Sequence, residues 1–285
     1  MAYDYQQELQ RVKKYYEGDP LQKRLSMLVT GETNAGKTYL ARTARKPIHI
    51  DSFDPGGTKC LRDLISSGDV IADTSFEDDD PFEPDKFAKW MRATEVRFQI
   101  GYFEHFGTYM LDSATTFGEA VMNYGLAAKG RAGEAPQHRR DYNPQKVQMV
   151  NYIRKLMRLP CDFIMTGHLR EIRKVLRIDT KTGIVNEDVK YRFYTTGQAV
   201  VTIPLLFDEI YVLTGKEGRD GPDRQMLIDS LGTYIARSRL KANGKLDAVE
   251  EPHIKKLLRK VGLDYNDKPK LEFVQNSNGL EKEKT

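Results

Sequence analysis

Residues 25–38 read Leu25-Ser26-Met27-Leu28-Val29-Thr30-Gly31-Glu32-Thr33-Asn34-Ala35-Gly36-Lys37-Thr38, an apolar run that breaks into a glycine-bounded loop ending in Lys-Thr. Gly31 and Gly36 let the backbone curl round a phosphate, and successive amides attract its negative charge. The Lys37 ammonium has the reach for β- and γ-phosphates, and the Thr38 hydroxyl can ligate Mg²⁺. Each position of fixed type thus has a task in holding a nucleoside triphosphate, ATP above all. The contacts extend over Gly31, Glu32, Thr33, Asn34, Ala35, Gly36, Lys37, Thr38 and Tyr39. A glycine-rich turn before a surface lysine would give the same letters. This loop, however, follows an apolar strand and precedes a segment, Lys37 to Ala44, suited to a helix, which is the setting phosphate cradles occupy.

Outward from this loop, strand and helix patterns alternate. Pro47-Ile48-His49-Ile50-Asp51, Asp69-Val70-Ile71-Ala72, Thr108-Tyr109-Met110-Leu111-Asp112 and Asp162-Phe163-Ile164-Met165-Thr166 read as strands. A loop and helix are predicted over 57–67, and helices over 84–102 and 147–158. Such alternation implies an α/β fold with a mostly parallel central sheet flanked by helices. From 171 to 194 the texture becomes polar–apolar alternation around Asp179-Thr180-Lys181-Thr182-Gly183, a β-hairpin inserted into that fold. Residues 209–213 and 234–237 add two strands, and 252–261 a helix. Residues 1–23 form an N-terminal helical segment with Leu9, Val12 and Tyr16 on one face, 24–262 the nucleotide-binding domain, and 263–285 a flexible polar tail.

A composition of 39% hydrophobic and 30% charged residues suits a soluble chain with ample core and argues against disorder. No apolar run approaches a membrane span and no signal peptide opens the chain, so a cytoplasmic address and no membrane partner follow by elimination. The two cysteines, Cys60 and Cys161, lie far apart with no CxxC or Cys/His cluster, which excludes a disulfide framework or zinc site. A net charge of +4 is too small to demand a polyanionic partner, so local clusters carry that question.

Asp112 closes an apolar strand, the place for a carboxylate that holds Mg²⁺ together with Thr38. Hydrolysis also needs a group that orients or activates water, and the candidates are the strand-end carboxylates Asp51, Asp54 and Asp112. Asp54 precedes Pro55-Gly56-Gly57 and is equally a turn former. Thr166-Gly167-His168 ends another strand, where His168 can contact the γ-phosphate. Glu77-Asp78-Asp79-Asp80 is most simply a solvated acidic loop.

With the phosphate loop, Asp112-Ser113, Thr166-Gly167-His168, Leu206-Phe207-Asp208-Glu209-Ile210-Tyr211 and Ala236-Arg237-Ser238-Arg239 in this order, the chain resembles a phage family. It is similar to the bacteriophage nucleotide-binding ATPases of AAA type with a RecA-like core, including the single-strand annealing proteins of the Sak group, over most of Leu25 to Gly262. The resemblance implies an ATPase acting on single-stranded DNA in phage recombination, annealing or replication, in the host cytoplasm. It further implies a homo-oligomer with ATP at subunit interfaces, and a single-stranded-DNA-binding protein as a further partner. Lys37 and Asp112 take catalytic roles, and Arg237 and Arg239 enter a neighbour's site to stabilise charge on the transferring phosphoryl group. DNA contacts fall in the segments 127–145 and 169–198. The first holds Lys129, Arg131, Arg139 and Arg140. The second holds Arg170, Arg173, Lys174, Arg177, Lys190 and Arg192 interleaved with Tyr191, Phe193 and Tyr194, cations for phosphates beside rings for bases. One departure stands out: Phe53 occupies the place of the water-activating glutamate two residues after Asp51. Either Asp54 substitutes or ATP acts as a switch with little turnover, and a small-molecule kinase is the remaining alternative.

Overall fold

The computed structural model describes residues 4–19, 22–137, 139–178, 185–195, 199–218 and 221–273. The predicted hairpin turn at 179–183, residues 196–198 of the second basic segment and the polar end from Gln275 lie outside the described residues. Strands and helices are labelled in chain order.

The strand β1 (Ser26–Gly31) is buried at every position, as a central parallel strand covered on both faces must be. Its polar side chains are satisfied within the sheet: Ser26 Oγ donates to Asp208 at 2.7 Å and Thr30 Oγ1 to the Tyr211 carbonyl at 3.3 Å. It lies between β5 (Asp162–Ile178) and β7 (Glu209–Gly218), parallel to both. Beyond β5 follow β4 (Thr108–Asp112), β2 (Ile48–Ser52) and β3 (Val70–Asp73), all parallel. Beyond β7 come β8 (Gly221–Leu227) and β10 (Val249–Glu250), both antiparallel. The outer half of β5 pairs with β6 (Val185–Phe193), and the start of β7 with β9 (Arg237–Ser238). One strand, β5, thus separates the phosphate-loop strand from the strand ending in Asp112. The protein has the expected α/β architecture, a mostly parallel sheet flanked by helices.

The helices α3 (Lys86–Gln99), α4 (Ala114–Ala127) and α5 (Tyr142–Leu156) pack on one face through Trp90, Phe117, Phe163 and Ile153. The other face is covered by α7 (Ile254–Val261) and the short 3₁₀ turn Tyr39–Thr43, through Met27, Ile50, Tyr211 and Leu257. Smaller helices are α2 (Arg62–Ser66) and α6 (Ala199–Thr202). The amphipathic α1 (Tyr5–Gly18) buries none of its residues.

Three sequence expectations need correction. The helix expected from Lys37 to Ala44 is only the 3₁₀ turn, which ends where Ala44 takes extended backbone and its amide donates to the Ala41 carbonyl at 3.0 Å. The unforeseen α4 fills much of what had the look of a loop after Asp112. Finally, the predicted tail is no tail over 263–273. Leu263 and Tyr265 pack on the second core, and the Lys46 amide donates to Asp267 at 2.6 Å. The Lys268 amide in turn donates to the Lys46 carbonyl at 2.8 Å.

Candidate functional site

The C-terminal ends of β1 and β4 meet the middle of β5, around His168, at one end of the central strands, and the loop after Gly31 folds over them. Asn34 (φ 65°) and Gly36 (φ 93°) take left-handed backbone, which turns the loop into a cradle. The buried Lys37 donates from Nζ to the carbonyls of Gly31 at 3.0 Å and Glu32 at 2.8 Å. Burial lowers its pKa, opposed by the charges of Asp112 and Asp54, so an anion in the cradle would be welcome.

Asp112 is fully buried and accepts hydrogen bonds from Thr38 Oγ1 at 2.6 Å and from Thr166 Oγ1. Burial raises its pKa against those two bonds; Asp54 adds to the rise and Lys37 opposes it. A carboxylate held out of water against a threonine hydroxyl is a pair of hard oxygens suited to Mg²⁺. Asp54 accepts from Ser113 Oγ at 2.9 Å and Thr116 Oγ1 at 2.5 Å, and its Oδ2 lies 3.8 Å from His168 Nε2. Burial pushes its pKa up, but the nearby His168 and the hydrogen bonds from Thr116 and Ser113 prevail and hold it below the usual value. Its loop is pinned by Glu77, which accepts from Ser52 Oγ at 2.7 Å and from the Gly56 amide at 2.9 Å. The acidic run is therefore partly a clamp. Lys37, Thr38, Asp54 and His168 line a cleft of about 590 Å³ together with Thr33, Asn34 and Gly36, room enough for a nucleotide.

A family model described as an AAA domain matches residues 23–240. The chain belongs to the AAA domain family. The crystal structure of a KaiC-like protein from the hyperthermophilic archaeon Pyrococcus horikoshii OT3 is 12% identical, with a TM-score of 0.38 over 73% of this chain and 79% of that one. No curated protein matches the chain. As a P-loop ATPase-like member of the AAA family, the protein is a nucleotide-binding protein, and every residue that lines its cleft falls within the matched span.

The other predicted residues of this AAA domain are placed less uniformly. Asp51 is enclosed on the α3 face, where Tyr109 Oη (2.7 Å), Trp90 Nε1 (2.8 Å), Arg97 (2.8 Å) and His49 Nε2 (2.9 Å) surround it, so it is no candidate base. Phe53 packs against Phe76, Trp90 and Phe117, away from the cleft. Arg237 stands level with Ile210, and Arg239 follows Ser238, which stands level with Glu209, at the end of the sheet away from the cradle. Arg237 donates to the Phe207 carbonyl at 2.7 Å, a fold-holding contact, and the exposed Arg239 pairs with Asp208 at 2.5 Å.

Lys129 and Arg131 both bind the buried Asp141, at 2.7 and 2.8 Å, so the first basic segment largely neutralises itself; Arg139 and Arg140 are exposed. On the hairpin, directly paired residues share a face. Arg170 faces Arg192, Ile172 faces Lys190 and Lys174 faces Asp188, which gathers the cations on one face. Arg173, paired with Glu171, and two of the aromatics lie on the other: Tyr191 stacks on Tyr234 at 5.2 Å and Phe193 is buried. The expected interleaving of cations and rings on one surface therefore forms only in part, because alternate residues point to opposite faces; the exposed Tyr194, whose amide donates to the His168 carbonyl, is the ring left to the cationic face. Four residues of the site have no counterpart in the sequence expectations: Ser113 and Thr116, which donate to Asp54, and Lys59 and Arg224 on the cleft wall.

Proposed function

We propose that this AAA domain binds and hydrolyses MgATP and uses its nucleotide state to control a grip on single-stranded DNA along the basic face of the β5–β6 hairpin. The observation that carries this is the continuity of β5. His168, level with Gly31 of the cradle, reaches Asp54, and the same strand runs on through Arg170 to Lys174. In this reading Lys37 and the loop amides hold the phosphates, while Thr38 and Asp112 hold Mg²⁺. That ion, when bound, neutralises charge on the phosphoryl oxygens. Asp54 accepts the proton of the attacking water at Oδ2, and His168 fixes that carboxylate. The resemblance to phage annealing proteins supports a setting in recombination or strand annealing, as an oligomer that shares ATP between subunits. Of the two late arginines, the exposed Arg239 is the one available to a neighbour.

ATPase rate measured against protein concentration, with and without single-stranded DNA, tests the proposal. A rate per subunit that rises with DNA and with concentration is expected. No DNA affinity at low salt, with or without ATP, refutes the DNA half. The buried Phe53 favours a second reading, a nucleotide switch with little turnover, which a tight ATP dissociation constant beside negligible steady-state rate would establish.

A further inference from the structure

The antiparallel hairpin β7–β8 extends the sheet past β1. Leu213 of β7 is level with Gly31, and two residues further on Gly215 pairs with Arg224 of β8, so Arg224 stands just above the cradle. Its side chain leans over the loop: a Cβ built on Gly36 would lie 3.1 Å from both Cδ and Nε of Arg224. The guanidinium sits 5.7 Å from the centre of the Tyr39 ring, which follows Thr38. Arg224 Nε is buried and has no hydrogen-bond partner, and no ion pair to Arg224 forms among the described residues. Three other buried side-chain atoms share that condition among the described residues, Thr94 Oγ1, Arg192 Nε and Arg237 Nε, and none of them lines the cleft. A half-buried cation on the cleft wall, with a buried Nε that lacks an acceptor and lying over the glycine of a phosphate cradle, is a site arranged for an anion.

We propose that Arg224 is a nucleotide ligand supplied by this chain to its own cradle, and that it binds the α- and β-phosphates rather than the γ-phosphate. The assignment rests on the cleft being the nucleotide site. Arg224 touches Gly36 and Tyr39, on the side where loop amides hold α- and β-phosphates. The groups that serve the γ-phosphate, Thr38, Asp112, Asp54 and His168, gather at the ends of β4 and β5, on the other side of β1 from the hairpin. Such an arginine adds affinity for ADP and ATP alike and is indifferent to assembly.

The test is the affinity of wild type, Arg224→Ala and Arg224→Lys for ADP and for ATP with Mg²⁺, by titration calorimetry, with the melting temperature of each free protein as a check on folding. Arg224→Ala should weaken both nucleotides by the same factor, about ten- to a hundredfold, and Arg224→Lys should recover part of it. Loss for ATP with ADP unchanged would make Arg224 a γ-phosphate sensor and overturn the proposal. Unchanged affinity for both would reduce it to a packing residue. Lys37→Ala separates the levels: if it and wild type bind nucleotide equally, the cleft reading itself falls, whereas failure of Arg224 alone leaves that reading standing.

Discussion

Replacing Arg170 and Lys174 together by alanine should halve the salt sensitivity of single-stranded DNA binding. The register places Arg170 opposite Arg192 and brings Lys174 and Lys190 to the same face; with the exposed Lys190–Asp188 pair, 3.5 Å apart, exchanged for a phosphate, four cations meet the strand. Each phosphate contact on a single strand contributes about −0.7 to the slope of log K against log salt. Four contacts give a slope near −2.8, and the double variant, with two left, should show about −1.4. Between 50 and 200 mM salt, affinity should then fall about fifty-fold for wild type and about sevenfold for the variant. Fluorescence anisotropy of a labelled oligonucleotide over a salt series measures both. Arg139→Ala with Arg140→Ala, on the exposed part of the first basic segment, serves as comparison. A slope that drops only in the comparison pair would move the DNA to that segment, and an unchanged slope in both would refute the hairpin assignment. ATP affinity measured alongside should not change, since neither residue lines the cleft.

Lys37→Ala should cut ATP turnover at least a hundredfold without unfolding the protein; unchanged turnover in a malachite-green assay would sink the cradle assignment. If Asp54 is the base, its depressed pKa keeps it ionised in acid, so the rate should hold down to about pH 5; a loss centred near pH 6.5 would point to histidine instead. Asp51→Asn leaves Arg97 and its neighbours without their buried carboxylate and should cost about 3–5 kcal/mol in chemical denaturation. Because the folded pKa of Asp51 is depressed, that difference is complete at neutral pH and narrows only as pH falls below the ordinary aspartate value of about 3.9.

The cradle was legible because its chemistry is local: glycines, lysine and threonine act within one turn of chain, and the apolar strand before them fixes the context. Asp112 was legible for the same reason, as the polar end of an otherwise apolar strand. Arg224 was not, because its place is set by pairing with Gly215 across a hairpin, and Pro222 in β8 disguises the strand. The misreading of Lys129 and Arg131 has a similar origin. Asp141, which pairs with both, lies within the same segment, but its burial, which draws the two cations inward, is a tertiary fact. Phe53 was correctly flagged as a departure, but only the fold shows that a side chain there points to the aromatic core, which leaves Asp54 as the carboxylate in the cleft.

The route from nucleotide to hairpin is short enough to be tested at one residue. Along β5 the partners change abruptly: up to His168 the strand pairs with β1, and from Leu169 it pairs with β6. Just before the change, Phe193 of β6 lies directly over Gly167, so that a Cβ there would come within 2.4 Å of the ring. The hairpin is thus seated on the strand that carries His168, and a shift of His168 on loss of the γ-phosphate would be passed to that seat through one peptide and one ring. Coupling of this kind needs an element that both sites bias, and the seat is that element. Gly167→Ala should lift Phe193 and loosen the hairpin while leaving Lys37, Thr38 and Asp112 in place. ATP should therefore still bind, but DNA should no longer change the rate of its turnover. Stimulation by DNA that survives this substitution, with the protein folded, would show that the two sites communicate by another route or not at all.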